Sequence, residues 1–209
     1  AAVNLNGQPP IQAYLRVIQE PVIKIGSIDL GIQVILRTLD ELKSYVDVTS
    51  GFSLAKAAFL QELFSPEHFA GQSDGSLEGM LESFGGGVEL TTLAAIPKGS
   101  GLGTSSIMGA VIVAAINRAM GRHLSNKELF NAVLRLEQLL TTGGGWQDQI
   151  GGVLEGVKLI LTEPGMVPNP SMQYLRKDMI EPALNGGRTL LYYTGITRLA
   201  KNILQEVVG

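Results

Sequence analysis

The stretch from Ile96 to Ser106 constrains the fold of this chain more than any other. It places three glycines and then three adjacent hydroxyl side chains between a strand-like run and a strongly apolar helical run. Glycines let backbone N–H groups approach an anion closely, and the start of the following helix presents unpaired N–H groups and a positive dipole end. The stretch therefore predicts a phosphate-binding loop. A glycine-rich turn closed by a serine helix cap fits the same residues and stays open.

Two common nucleotide-binding motifs do not fit this loop. No Gly-Lys-Ser/Thr follows at the spacing of a Walker A motif, and Thr104 stands where the third glycine of the dinucleotide-binding fingerprint would be. What remains is a set of backbone donors at a helix start with hydroxyl groups beside them. This combination suits a nucleoside triphosphate with a divalent cation.

Composition limits the other classes of function. The 209 residues are 45% hydrophobic, which favours one globular domain, and a net charge of -3 without a basic run argues against nucleic acid as a partner. There is no cysteine, which excludes disulfides and thiolate metal sites and fits a cytoplasmic location. The longest apolar run, Ile107 to Ile116, is too short for a membrane span. The chain starts at Ala1 without methionine, and we expect it to be a fragment.

Hydrophobic periodicity predicts an α+β fold. Alternating or β-branched runs near the N-terminus predict three strands in hairpin order, and later runs predict further strands. The predicted strands are residues 14–18, 22–25, 32–36, 88–95, 157–161 and 189–193.

Apolar residues at three- and four-residue spacing predict the helices. The run from Ser105 to Met120 is apolar on almost every side, so we expect a helix buried nearly all round. Ser125-Asn126-Lys127-Glu128 has the form of a capping box and opens another helix. The remaining predicted helices are residues 39–46 and 54–64, a short helix or turn near Leu81, a helix between 161 and 189, and residues 198–208.

Glu137 is the informative residue of the helix that starts after Ser125. It lies one turn from Val133 and Leu134, on or at the edge of the apolar face, where a carboxylate is costly without a cation. Magnesium held by one carboxylate and a hydroxyl would satisfy it. The alternative is a glutamate that reaches solvent or pairs with Arg135 or Lys127.

Asp148 lies in a second glycine-dense loop, with Trp146, Gln147 and Gln149 around it. Amide groups and an indole suit a sugar, whose hydroxyls need fixed partners and whose ring face needs a flat apolar surface. An aspartate there could accept a proton from a sugar hydroxyl as it attacks phosphorus. A turn in which Trp146 is a packing anchor is equally compatible with the pattern.

With these residues laid out, the chain resembles the GHMP family of small-molecule kinases, and within it the fucokinase branch. The Trp-Gln-Asp-Gln sequence is a more specific part of the resemblance than the glycine loop. The similar segments are residues 5–10, 27–29, 96–106, 136–149 and 191–197.

The resemblance implies ATP-dependent phosphorylation of L-fucose to L-fucose 1-phosphate. It implies that Ser105 and Glu137 hold Mg²⁺, that Asp148 is the catalytic carboxylate, and that Gly145, Trp146 and Gln147 are candidates for sugar binding. The implied triphosphate-binding residues are Gly99, Ser100, Gly101, Leu102, Gly103, Thr104 and Ser105.

The family's fold implies a mixed sheet with helices of the ribosomal protein S5 domain 2-like type over residues 1–185, and the start of a ferredoxin-like lobe over 186–209. The family's first and third motifs do not appear in this sequence, so we expect the isolated chain to be inactive or nearly so. A pyrophosphorylase domain in the same full-length chain is a further implied partner, whereas nucleic acid and membrane are not. The alternatives are a GHMP kinase acting on a heptose phosphate or related sugar, and a nucleotide-binding module without catalysis.

Overall fold

A four-stranded mixed sheet with helices on one face forms the larger part of the protein. The structure is a computed structural model that describes residues 9–64, 75–96, 99–140, 146–154, 156–165, 169–180, 184–190, 192 and 194. The strands lie in the order β1-β4-β2-β3, with β4 antiparallel to β1 and parallel to β2. Their bounds are β1 Ile11–Ile18, β2 Ile23–Ser27, β3 Ile32–Leu36 and β4 Gly87–Ala94.

The helices connect β3 to β4 and then follow β4. A two-stranded antiparallel sheet, β5 Lys158–Leu161 and β6 Ser171–Tyr174, comes after them, followed by a 3₁₀ turn at Lys177–Met179. The helices are α1 Leu39–Lys43, extended by a 3₁₀ turn at Ser44–Val46, α2 Ser53–Glu62, α3 Leu77–Phe84, α4 Thr104–Ala119, α5 Asn126–Leu140 and α6 Gln147–Val153. Within the described residues, no helix is long and apolar enough to cross a membrane.

The core lies between the inner face of the sheet and the helices. Ile25 on β2 and Leu90 on β4 are at most 1% exposed, and they belong to the same buried cluster as Phe59 on α2, Ile112 on α4 and Leu136 on α5. Helix α4 packs on β1 and contacts α2, α5 and α6. The α+β class with a mixed sheet is therefore confirmed, and α4 is its central helix.

Two predictions about these elements are wrong. The first three strands are not in hairpin order, since β4 lies between β1 and β2 and only β2 and β3 form a hairpin. Periodicity reports which face of a strand is buried and carries no information about its neighbour. Helix α4 is not buried all round, because Ala114, Arg118 and Ala119 are exposed. Alanine tolerates either environment, so the apolar composition overstated the burial.

The elements predicted after residue 161 are in part absent from the described residues and in part lie outside them. In place of the helix expected between 161 and 189 there are β6 and a 3₁₀ turn. Thr189, Leu190 and Tyr192 are not in a strand, while Leu191 and Tyr193 lie outside the described residues. The predicted helix at 198–208 also lies outside them, and the boundary at 185/186 stays a prediction.

The insertion of β4 depends on glycine at its first position. A Cβ atom on Gly87 would lie 2.0 Å from the backbone oxygen of Glu20 and 2.4 Å from that of Val22. These oxygens belong to the chain between β1 and β2, which wraps closely around the start of β4. Backbone atoms cannot move aside as a side chain can, so this position requires glycine.

The capping box predicted before α5 is present. The Ser125 hydroxyl accepts from the Glu128 backbone N–H at 3.3 Å, and Glu128 Oε2 accepts from the Ser125 backbone N–H at 2.7 Å. The hydrogen bond from the Ser125 hydroxyl and then that from its N–H lower the pKa of Glu128 below its ordinary value of 4.5. This box starts the helix that carries Glu137.

We expect Gly87→Ala to destabilise the protein by about 3 kcal/mol or more, because the added methyl would overlap backbone atoms. Gly26→Ala in β2 is the matched control, since its Cβ would meet nothing within 4 Å. Urea unfolding of both variants gives the free energies of unfolding. Equal values for the two would show that the turn before β2 can yield.

We expect Glu128→Gln to flatten the acid dependence of stability. A carboxyl whose pKa is lower in the folded state contributes stability above 4.5 and loses it as the pH falls through the folded pKa. The free energy of unfolding, measured in steps from pH 6 to pH 3, should fall more steeply for the wild type than for the variant. Ser125→Ala should flatten the curve in part, since it removes the hydroxyl donor. Parallel wild-type and Glu128→Gln curves would contradict this assignment.

Candidate active site

The loop before α4 is built on three glycines with left-handed backbone. Their φ angles are 71° at Gly99, 76° at Gly101 and 66° at Gly103, and Gly103 is the N-cap of α4. Side chains are strained in this region, which explains the alternation of glycine with other residues. Pro97 and Lys98 lie outside the described residues. The loop thus turns the chain sharply into the N-terminus of a long helix.

The loop holds polar groups that have no hydrogen-bond partner among the described residues. The hydroxyl oxygens of Ser100 and Thr104 are buried and make no hydrogen bond within the described structure. The first backbone N–H groups of α4 have no acceptor inside the helix, and the helix dipole adds positive potential there. Buried hydroxyls beside unpaired N–H groups form a set of donors suited to phosphate oxygens.

Glu137 connects three helices through its carboxylate. Its Oε1 accepts from the Ser105 hydroxyl at 2.9 Å and from the Ser106 hydroxyl at 2.6 Å, both at the start of α4. Its Oε2 accepts from the Gln149 side-chain amide on α6. The structure therefore brings the two predicted magnesium ligands, Ser105 and Glu137, into direct contact.

Close packing of α4 on α5 makes this contact reachable. A Cβ atom on Gly109 of α4 would lie 3.3 Å from a Leu136 methyl and 3.4 Å from a Val133 methyl on α5. The absence of a side chain at Gly109 allows the two helices to approach, which brings the short Ser105 side chain within reach of Glu137.

Asp148 lies in a helix, where the sequence predicted a loop. Residues Gln147–Val153 form α6, which starts at Trp146. Glycine usually disfavours helix, and here the packing of α6 on the neighbouring helices outweighs that preference. A Cβ atom on Gly103 would lie 3.5 Å from Asp148 Cβ and 3.9 Å from its Oδ1, so this carboxylate borders the end of the glycine loop. Asp148 is exposed and makes no hydrogen bond or ion pair with a described residue.

Two contacts fix α6 against its neighbours. A Cβ atom on Gly152 would lie 2.6 Å from Ile107 Cγ1, so α6 crosses α4 at a point where only glycine fits. At the same, C-terminal end, Lys158 Nζ donates to the backbone oxygens of Gly151 at 3.1 Å, Leu154 at 2.5 Å and Gly156 at 3.3 Å. Partial burial lowers the pKa of Lys158. Its ammonium closes the C-terminal end of the helix that carries Asp148.

Trp146 lies on the opposite side of α6 from Asp148. With Gln149 and Ile150 it lines a mainly apolar cavity of about 210 Å³, bounded by Phe130 and Leu134 of α5. Residues two apart on a helix point in nearly opposite directions, so Trp146 and Asp148 do not face one space. Gln147 is exposed, and Gly145 lies outside the described residues. The sugar-binding role of these three residues stays a prediction.

The oxygen donors at the start of α4 fit a magnesium ion. The described residues contain no cluster of three or more histidine, cysteine or acidic side chains. A cation here would thus take one carboxylate and a hydroxyl, leaving positions for water and phosphate oxygens, as Mg²⁺ prefers. Ser106 and Gln149 are the contacts that sequence reasoning missed. A second hydroxyl beside Ser105 was the signal for the first, while nothing in the local pattern marked Gln149 as buried.

Comparison with known proteins relates part of this chain to a protein family. Residues 74–156 match the family model of the GHMP kinases N terminal domain, a range that contains the glycine loop, Ser105, Glu137 and Asp148. This part of the chain is similar to the N-terminal domain of the GHMP kinases.

Two sequence relatives match along nearly the whole chain. It is 49% identical over 208 residues to the L-fucokinase/L-fucose-1-P guanylyltransferase of Bacteroides fragilis, covering 100% of this chain and 22% of that protein. It is 32% identical over 213 residues to the bifunctional fucokinase/GDP-fucose pyrophosphorylase of Arabidopsis thaliana, covering 99% of this chain and 18% of that protein. The chain thus spans about a fifth of the length of these relatives.

Solved structures show the same GHMP kinase fold. The mevalonate kinase of Methanococcus jannaschii superimposes with a TM-score of 0.58 at 15% identity, over 79% of this chain and 47% of that one. At this identity the likeness establishes the fold and leaves the substrate open.

We expect Gly152→Ala to destabilise the protein by about 1–3 kcal/mol, because the methyl overlaps Ile107. Gly151→Ala is the matched control on the same helix. Its Cβ would meet nothing within 4 Å, and better helix propensity should make it neutral or stabilising by up to about 1 kcal/mol.

Thermal unfolding of the Gly152→Ala variant in an Ile107→Ala background tests the cause. The penalty of the glycine substitution should disappear there, since the obstructing atoms are gone. An undiminished penalty would place the conflict elsewhere.

Proposed function

We propose that the protein carrying this chain is an ATP-dependent sugar 1-kinase that phosphorylates L-fucose to L-fucose 1-phosphate. The observation that carries the proposal is the meeting of the glycine loop, the Ser105–Glu137 pair and the unpaired Asp148 carboxylate around the N-terminus of α4. The choice of sugar rests on the relatives named as fucokinases, since the fold is shared with a mevalonate kinase.

The triphosphate of ATP would lie on residues 99–105. Backbone N–H groups of the loop and of the first turn of α4 would donate to its oxygens, and the unpartnered hydroxyls of Ser100 and Thr104 are placed to add to them. Ser105 and Glu137 would hold Mg²⁺, which when bound neutralises charge on the phosphate oxygens.

Asp148 would act on the sugar. In the transfer, the C1 hydroxyl oxygen of fucose forms a bond to the γ-phosphorus, the bond to the ADP oxygen breaks, and the hydroxyl proton leaves. A carboxylate beside that hydroxyl can accept the proton or orient the hydroxyl for attack. Asp148 suits this role because it is exposed, borders the phosphate loop at Gly103, and is not engaged by another described side chain.

The full-length protein is proposed to be bifunctional. Both fucokinase relatives are much longer than this chain, and the names of both give a second, nucleotidyl-transferring activity. A pyrophosphorylase domain in the same polypeptide would use fucose 1-phosphate as it forms.

The direct test is to supply the full-length protein with ATP, MgCl₂ and L-fucose and follow the products by ³¹P NMR. A new sugar 1-phosphate resonance together with ADP is the expected result. Competition with a heptose phosphate separates the fucose kinase from a heptose-phosphate kinase. ATP binding with no phosphorylation of any sugar offered would favour the nucleotide-binding module and overturn the proposal.

We expect Asp148→Asn in the full-length enzyme to lower kcat by about a hundredfold or more, because a positioned proton acceptor contributes about 10²–10⁴ in rate. ATP affinity should change little, since the loop residues are intact. Asp40→Asn, an exposed position in the first turn of α1, is the control and should keep full activity. Loss of ATP affinity at unchanged kcat would contradict the role given to Asp148.

A further inference from the structure

We propose that Gln149 is a positioning residue that orients the Glu137 carboxylate toward the cation and sets its place relative to Asp148. The inference deepens the proposed function and rests on its assignment of Ser105 and Glu137 to magnesium. It concerns a side chain that binds Glu137 and to which the proposed function gives no role.

The two oxygens of Glu137 have different partners. Oε1 faces the start of α4 and accepts from the hydroxyls of Ser105 and Ser106. Oε2 faces α6 and accepts from the Gln149 amide. The amide thus holds one oxygen away from the loop and leaves the other directed at it.

The bond from Gln149 restrains Oε2 and so helps to fix the plane of the carboxylate. The terminal torsion of glutamate is broad and roughly twofold, so the group rotates unless both oxygens are held. A hydrogen bond to an ionised acceptor is roughly twice as strong as a neutral one. The bond from Gln149 therefore selects one orientation. Partners of this kind, bonded to a metal ligand and not to the metal, tune metal affinity.

The orientation of the amide is fixed by its surroundings. Gln149 is 1% exposed, and its Oε1 is buried without a partner among the described residues. A reversed amide would place that oxygen against the Glu137 carboxylate, which is repulsive. A buried carbonyl without a donor is costly, and leucine of similar size would avoid the cost. The residue at this position is nevertheless an amide, and its NH₂ group donates to Glu137.

The position of Gln149 on α6 gives the bond a second effect. It is the residue after Asp148, on a helix of seven residues held between Ile107 of α4 and Lys158. The bond from Gln149 to Glu137 therefore ties the metal carboxylate on α5 to the helix that carries the catalytic carboxylate. Loosening it should affect the cation first, since the bond is made to Glu137 and not to Asp148, which lies beside Gly103.

The test is cation binding to full-length enzyme carrying Gln149→Leu, which keeps the size of the side chain and removes the donor. Mn²⁺ replaces Mg²⁺ as an observable probe, and its binding is titrated by electron paramagnetic resonance with a non-hydrolysable ATP analogue present. We expect the Mn²⁺ dissociation constant to rise about 10- to 100-fold, the range typical for such partners of metal ligands. Kinetically, the Mg²⁺ concentration for half-maximal rate should rise while KM for fucose stays unchanged.

Two controls make the result decisive. Gln138→Leu removes an exposed amide next to Glu137 on the same helix and should leave the Mn²⁺ constant unchanged. Gln149→Asn keeps an amide but is too short to reach Glu137, so it should behave like the leucine variant. If Gln149→Leu does not fold, the asparagine variant decides.

The outcomes distinguish failure of the positioning role of Gln149 from failure of the metal assignment of Glu137. Glu137→Gln should weaken Mn²⁺ binding in every case in which the metal assignment holds. If Glu137→Gln weakens binding and both Gln149 variants bind Mn²⁺ like the wild type, the positioning role is wrong and the proposed function stands. If Glu137→Gln has no effect on Mn²⁺ binding, the metal assignment itself fails.

Discussion

The carboxylate of Glu137 is the constraint on which the site depends. It is partly buried on α5, and a negative charge in that place must be satisfied by donors or a cation. The hydroxyls of α4 and the amide of α6 satisfy it, so three helices meet at one ionised group. Glycines at the helix crossings, Gly109 and Gly152, allow those helices to come close enough for short side chains to reach it. The close packing of the helices is therefore what allows the charge of Glu137 to be satisfied.

The two faces of helix α6 lie against different parts of the protein. Asp148 and Gly152, four residues apart, face α4 and the glycine loop, while Trp146, Gln149 and Ile150 face α5 and a small apolar cavity. A helix of only two turns can serve both sides because its period puts residues three and four apart on the same face. Trp146 is thus placed to anchor the helix that presents Asp148, which is the packing alternative left open by the sequence.

The sequence was informative where chemistry is local. The glycine loop, the capping box at Ser125 and the strand at 88–95 could be predicted because backbone conformation and helix caps depend on nearby residues. It was uninformative where the structure depends on contacts between segments that are distant in the sequence. The placement of β4 between β1 and β2 depends on the space left by Gly87, and the helix at 147–153 depends on the close packing of Gly152 against Ile107 of α4. Ser105 and Glu137 are 32 residues apart in the sequence, so local patterns could not predict their contact. The resemblance to a kinase family implied it. Gln149 was missed because its burial follows from that same packing.

The two buried hydroxyls of the loop tie stability to occupancy. Ser100 and Thr104 have given up water without gaining a described partner, which leaves the empty loop at a disadvantage. A ligand that accepts hydrogen bonds from them removes that disadvantage only in the folded state. By linkage, each tenfold rise in such a ligand above its dissociation constant adds about 1.4 kcal/mol to the folded form. If that ligand is the triphosphate proposed above, the protein with its ligand bound would therefore resist unfolding longer than the free protein.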